Sequence, residues 1–377
     1  MQIDEEKLIH SINKLEHFLI RNEKQSSVEE LADYYSLVQL IYDMFGIKLN
    51  TNVFMNNKKI NELITKYHVK NLNTLVNFSN DNALDLSILS NNFNSLLPKH
   101  LDIYHKTDTY KISNNMKYYT EEDFKDLTYS FFSMYGNNVL KFIKNIIENN
   151  RIELGSYKKL DSGVAYTVSS YLTNDIYIIT SLFDYSIDSM SILVHELGHA
   201  IDMTNVANNQ GKKNYTATPY LEIPSCFFEM SFLNYLYKNK IESDIALNII
   251  VDRILNQTSN FNIYSDLLTN ENGEYSVDIN GYIVATNIKE DIVGKCYRDD
   301  LIYFLGYVTA LNMLKLSESN EKEYIKYFNN FSTLKHELSF EEVIKTLGID
   351  YEKYLECSLI ENYIKENTNK LIKKYTK

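Results

Sequence analysis

The stretch His195-Glu196-Leu197-Gly198-His199 decides how this chain is read. It has the HExxH form, in which a helix presents two metal-binding imidazoles and a carboxylate. Residues four apart on an α-helix lie on one face, one turn above the other, so His195 and His199 can share one tetrahedral zinc ion. Glu196 sits one residue round, close enough to hold a water beside such an ion without displacing it. Ile192, Leu193 and Val194 precede the stretch, and Leu197, Ala200 and Ile201 interleave with it. That pattern predicts a largely buried helix, where two histidines and a glutamate would be costly without a partner. A metal ion is the partner that fits.

Catalytic zinc takes three protein ligands and keeps a fourth position open. Glu222, in Tyr220-Leu221-Glu222-Ile223-Pro224-Ser225-Cys226-Phe227-Phe228-Glu229, is the expected third ligand. It follows a polar connection (Asn205 to Thr218) and precedes an apolar run from Phe227 to Tyr237 that reads as a buried helix. Pro224 lacks an N–H and is expected to start or kink that helix. Glu229 falls two turns on, on the same face as Glu222. It is read as holding a ligand imidazole or the substrate, with a solvated charge as the alternative. Asp202, three residues past His199, either steadies an imidazole or is a helix-end charge.

With these residues in place, the chain resembles a known family. His195 to Ala200 (HELGHA), then Glu222-Ile223-Pro224-Ser225 and Glu229, is similar to the thimet oligopeptidase and oligoendopeptidase F family of zinc metallopeptidases. Gly163-Val164-Ala165-Tyr166, Tyr177-Ile178-Ile179 and Asp188 resemble the family's strand pair ahead of the metal helix. Asp102-Ile103-Tyr104, Tyr118 to Glu122 and Gly348-Ile349-Asp350 follow in the family's order, so the resemblance spans Leu101 to Tyr354. It implies a mainly α, two-lobed helical zinc peptidase, with a small β-hairpin beside the HExxH helix and a channel admitting short peptides. It also implies that Tyr303 or Tyr307 donates to the transition state. Two features depart from the family: the N-terminal helical region is short, and no histidine stands near Tyr297, Tyr303, Gly306 and Tyr307. His336 lies too far along to serve.

Composition narrows the choice further. A chain of 377 residues with 44% hydrophobic and 23% charged residues can bury a large core. The net charge of −12 argues against nucleic acid and anionic membranes as partners and favours cationic or neutral peptides. Three widely spaced cysteines, Cys226, Cys296 and Cys357, argue against a disulfide framework. The acidic start (Met1 to Lys7) has no signal-peptide core, and no uncharged apolar run reaches spanning length. A cytoplasmic location is expected.

Along the chain, helical periodicity covers 4–46, 59–78 and 83–97, with Pro98 as a stop. Thr120 is the expected N-cap of a helix, with Asp123 at the capping-box position, followed by a helix from Asn137 to Asn149. Tyr157 to Ser181 reads as a β-hairpin, whose open edge could hold an extended peptide. Helices are expected at 241–257, 301–316, 340–347 and 351–365, irregular structure at 271–286, and a frayed tail from Lys370. The organisation predicted is an N-terminal helical region over 1–100 and a catalytic region over 101–377. The expected function is hydrolysis of short peptides with one zinc per chain and Glu196 as general base. The alternatives are a catalytically weakened peptide-binding homologue and a protease specific for one protein.

Overall fold

The protein's computed structural model describes residues 3–21, 34, 62, 74–75, 77–79, 81–96, 116–154, 165–169, 175–180, 183–210, 219–256, 297–318, 329, 331 and 338–375. Among them the elements run α1 (Glu5–Arg21), α2 (Ala83–Ser95), α3 (Glu121–Ser133), α4 (Asn137–Glu148), β1 (Ile152–Leu154), β2 (Ala165–Ser169), β3 (Ile176–Thr180), α5 (Ile187–Gln210), α6 (Ile223–Lys238), α7 (Ser243–Asn256), α8 (Tyr297–Ser317), α9 (Phe340–Thr346), α10 (Tyr351–Leu355) and α11 (Glu361–Tyr375). The architecture is mainly helical with one small sheet, as the sequence predicts. Most of 22–82 and all of 257–296 lie outside the described residues, and with them the helices expected there, the irregular segment 271–286 and Cys296. Pro98 and His336 lie outside them too.

The chain forms two compact units, each drawing on separated stretches. One holds α1, α4 from Lys141 onward and the three strands. Leu8, Ile12, Leu15 and Leu19 make one buried stripe along α1. The expected hairpin is present: β2 pairs antiparallel with β3, from Ala165 opposite Thr180 to Ser169 opposite Ile176. A strand not expected from the sequence, β1, pairs parallel with β3 on its other side. This makes β3 the central strand, and all five of its residues are buried. Any peptide added to this sheet must therefore use the outer edge of β1 or β2. Glu153 of β1 is buried and accepts from the Ile3 N–H at 2.8 Å.

The second unit holds α2, α3 and α5 to α11. Thr120 caps α3 as predicted: its Oγ1 accepts from the Asp123 N–H, and the Asp123 carboxylate accepts from the Thr120 N–H. At the centre lies α6, buried nearly all round. A helix apolar on every side needs neighbours on every side, and α5, α7 and α8 pack on it. Phe132 and Tyr135 cover Phe228, at ring separations of 5.6 and 5.0 Å, and Phe131 meets Phe232 at 5.3 Å.

Two glycines let the helices approach. A Cβ on Gly198 of α5 would lie 2.9 Å from Ser225 Cα of α6. One on Gly306 of α8 would lie 2.9 Å from Cys226 Sγ and 3.0 Å from Glu222 Cβ. Three expectations about element ends are corrected. Helix α5 runs to Gln210, well into the predicted polar connection, because Met203 and Val206 stay buried. The helix predicted over 351–365 is two helices, parted where Cys357 takes a left-handed φ of 56°. Its second half continues to Tyr375, through the predicted frayed tail.

Candidate metal centre

Helix α5 delivers His195 and His199 one turn apart, with ring centroids 5.1 Å from each other. Glu222 arrives from the N-cap position of α6, held there by the start of the helix and Pro224 in its first turn. Its Oε2 lies 3.1 Å from His195 Nε2 and 3.2 Å from His199 Nε2. All three side chains are buried. Ser225 Oγ donates to the same Oε2 at 2.8 Å, fixing the carboxylate's direction. In a tetrahedral zinc site with bonds near 2.0–2.2 Å, neighbouring donors stand roughly 3.3–3.6 Å apart. The two observed separations, each from an imidazole to Glu222, fall a few tenths of an ångström short of that, so both imidazoles stand near the carboxylate at the spacing a shared ion would set.

Electrostatics agrees with the geometry. Burial would raise the Glu222 carboxyl, but His199 and His195 outweigh it and hold it well below the usual carboxylate range. Burial would lower the His195 imidazole, but Glu222 and Glu229 lift it to about 10. The buried carboxylate thus demands positive charge, and a divalent cation supplies it while leaving both imidazoles neutral. Cys226 Sγ also comes within 4.8 Å of the His195 and Glu222 donor atoms. Burial first, then Glu222 and Glu229, push that thiol well above its ordinary range.

Behind His195 stands Glu229, from two turns further along α6. Its Oε2 is 3.2 Å from His195 Nδ1. An ionised carboxylate only accepts, so Nδ1 carries a proton whether the ring is charged or neutral, and Nε2 is the nitrogen left to give a lone pair when a cation replaces its proton. The Tyr307 hydroxyl donates to the same Oε2 at 2.9 Å, and Arg253 Nε donates to Oε1 at 2.8 Å. Burial would raise the Glu229 carboxyl, but Arg253, then His195, hold it at about 2. Of the two residues read from the sequence as candidate oxyanion donors, Tyr307 therefore directs its proton at Glu229. Tyr303 lies nearly parallel to the His195 ring, with centroids 6.2 Å apart, and is half-buried. Glu196 and Asp202 are both buried on α5.

The sequence reading missed Arg253. It lies in α7 between the buried Ile249-Ile250-Val251 and the buried Ile254, and a cation set among buried aliphatics is the signal that could have marked it. Its Nη2 also donates to Asp188 Oδ1 at 3.1 Å, in the first turn of α5.

No family model matches the chain. It is 28% identical over 159 residues to an oligoendopeptidase F homolog of Mycoplasma genitalium, a match covering 39% of this chain and 25% of that protein. The solved structure of a candidate peptidase from Chlamydophila abortus superimposes with a TM-score of 0.53 at 16% identity, covering 98% of this chain and 63% of that one. A candidate oligoendopeptidase F from Bacillus anthracis has a TM-score of 0.49 at 14% identity, covering 94% and 66%. The Mycoplasma likeness bears out the resemblance to the oligoendopeptidase F family, and the Chlamydophila structure shares the fold. The chain spans less than two thirds of the length of each of the first two proteins.

Proposed function

We propose that this chain is a zinc-dependent metalloendopeptidase that hydrolyses short peptides, with residues 101–377 carrying the chemistry and 1–100 forming an N-terminal helical region. The observation that carries the reading is the meeting of His195 Nε2 and His199 Nε2 on one oxygen of Glu222, at 3.1 and 3.2 Å, beside Glu196. The name of the Mycoplasma relative supports oligopeptides as the substrate class. One zinc ion per chain, held by His195, His199 and Glu222, would supply Lewis acidity toward the scissile carbonyl and acidify the attacking water. Glu196 takes the proton from that water as its oxygen bonds to the carbonyl carbon. It then hands the proton to the amine as the C–N bond breaks. Tyr303 donates to the developing oxyanion. Glu229, steadied by Tyr307, holds His195 in the tautomer that binds, and Asp202, buried one turn past His199, steadies a ligand imidazole. Cys226 and Cys357, both buried thiols outside any disulfide, fit a reducing cytoplasm.

The test is a ladder of quenched fluorescent peptides of increasing length, given to the zinc-loaded wild type and to Glu196→Gln. The wild type should cleave short peptides and lose efficiency as they lengthen. Glu196→Gln should keep its zinc and lose on the order of 10²–10⁴-fold in kcat. Undiminished turnover in that variant removes Glu196 from the role of base. Peptide binding without cleavage by the wild type would favour the weakened homologue, and indifference to length a protease acting on a protein.

A further inference from the structure

Arg253 contacts neither an imidazole of the centre nor Glu222, yet it ties together the two helices that supply them. Its side chain is only 14% exposed. From α7 it reaches Glu229 on α6 through Nε and Asp188 on α5 through Nη2, at 2.8 and 3.1 Å. Its Nη1 lies 3.6 Å from Asp252 on its own helix. Glu229 is buried, on a helix that is itself buried nearly all round. A carboxylate in such surroundings keeps its charge, and its aim, only while its partners hold it. Oε2 serves His195 and Tyr307, whereas Oε1 is taken by Arg253.

We propose that Arg253 is a positioning residue of the metal centre. Through Glu229 it fixes His195 with Nδ1 protonated and Nε2 presented alongside His199. Through Asp188 it sets the register of α7 against the first turn of the helix that carries both imidazoles. A guanidinium reaches two carboxylates on different helices at once, where an ammonium serves one point. The proposal rests on the metallopeptidase reading of the site.

The experiment measures zinc affinity of the full chain by competition with a chromophoric chelator, independently of turnover. The variants are Arg253→Met, Arg253→Lys and Asp188→Asn. Arg253→Met should weaken zinc binding about 10–100-fold, in line with other residues that orient metal-bound histidines. Arg253→Lys should recover part of the loss, and Asp188→Asn should lose less than Arg253→Met. The visible spectrum of the cobalt-substituted protein should change in the same order. Thermal melts of the metal-free proteins separate this from a stability role, which would lower melting and leave affinity alone. If Arg253→Met does not fold, Arg253→Lys and Asp188→Asn carry the test. Wild-type affinity and an unchanged cobalt spectrum in the folded variants overturn the proposal. Failure of the wild type to bind zinc overturns the metal reading and this inference with it. A wild type that binds zinc but cleaves no peptide sinks the peptidase reading, while the predicted affinity order would still support the role of Arg253.

Discussion

Two imidazoles facing one buried carboxylate make the charge of this centre depend on pH. The His195 pKa is lifted to about 10 from an ordinary 6.5, against the pull of burial, by Glu222 and Glu229. The stability this adds to the metal-free protein is fully present below pH 6.5 and is lost as pH rises through about 10. Glu222, held well below 4.5 by the histidines despite its burial, works in the opposite sense: its contribution is present above pH 4.5 and lost on acidification. A divalent cation neutralises the same carboxylate without a proton to lose. Chelator-treated protein should therefore melt at progressively lower temperature from pH 6.5 to 10, and zinc-loaded protein should hold. Calorimetric scans with and without chelator would show the gap widening with pH; a narrowing gap would mean the histidines do not carry that charge. The meeting of His195, His199 and Glu222 was legible in the sequence because charges set in an apolar frame call for a partner. The different settings of Tyr303, beside the His195 ring, and Tyr307, bonded to Glu229, were not. They share a face of one helix, and only the position of Glu229 on another distinguishes them.

At the scale of helices, the approach of α5 to α6 hangs on a missing side chain. Alanine normally suits a helix interior better than glycine by about 1 kcal/mol. At Gly198 the added Cβ would stand 2.9 Å from Ser225 Cα and 3.1 Å from Pro224 O, both backbone atoms that cannot turn aside. Overfilling a packed contact costs roughly 1–3 kcal/mol, so the clash outweighs the propensity. Gly198→Ala should lower the melting temperature and weaken zinc binding together, because Gly198 lies between the two histidines and Ser225 follows Glu222 by three residues. A variant that melts higher than wild type would show that the contact has room to give. Periodicity revealed α6 and α8 because they bury long runs. It could not reveal β1, whose three residues form a strand only by pairing with β3. Nor could it place the break between α10 and α11, which turns on the left-handed backbone of Cys357.

Across the whole chain, the mainly helical character could be read from composition and period, but the two compact units could not. Each gathers stretches far apart in sequence, and such long-range contacts leave no local signature. Charge is the whole-molecule property that sequence does give, with 50 acidic against 38 basic residues and a net −12 at pH 7. A field of that sign raises the encounter rate of cationic peptides and lowers that of anionic ones before either touches the site. Screening removes it, since the Debye length falls from about 30 Å at 0.01 M salt to about 8 Å at 0.15 M. For a diffusion-sensitive step, kcat/KM on a short cationic peptide should fall by roughly 3–10-fold over that range, at the low end of electrostatic steering effects. A matched anionic peptide should gain over the same range, and kcat for both should stay level, because the bound chemistry is shielded from bulk salt. The two series must diverge at low salt and converge at high salt. Parallel responses would mean that the net charge does not reach the path a peptide takes, and that selection among peptides rests on contacts within the site.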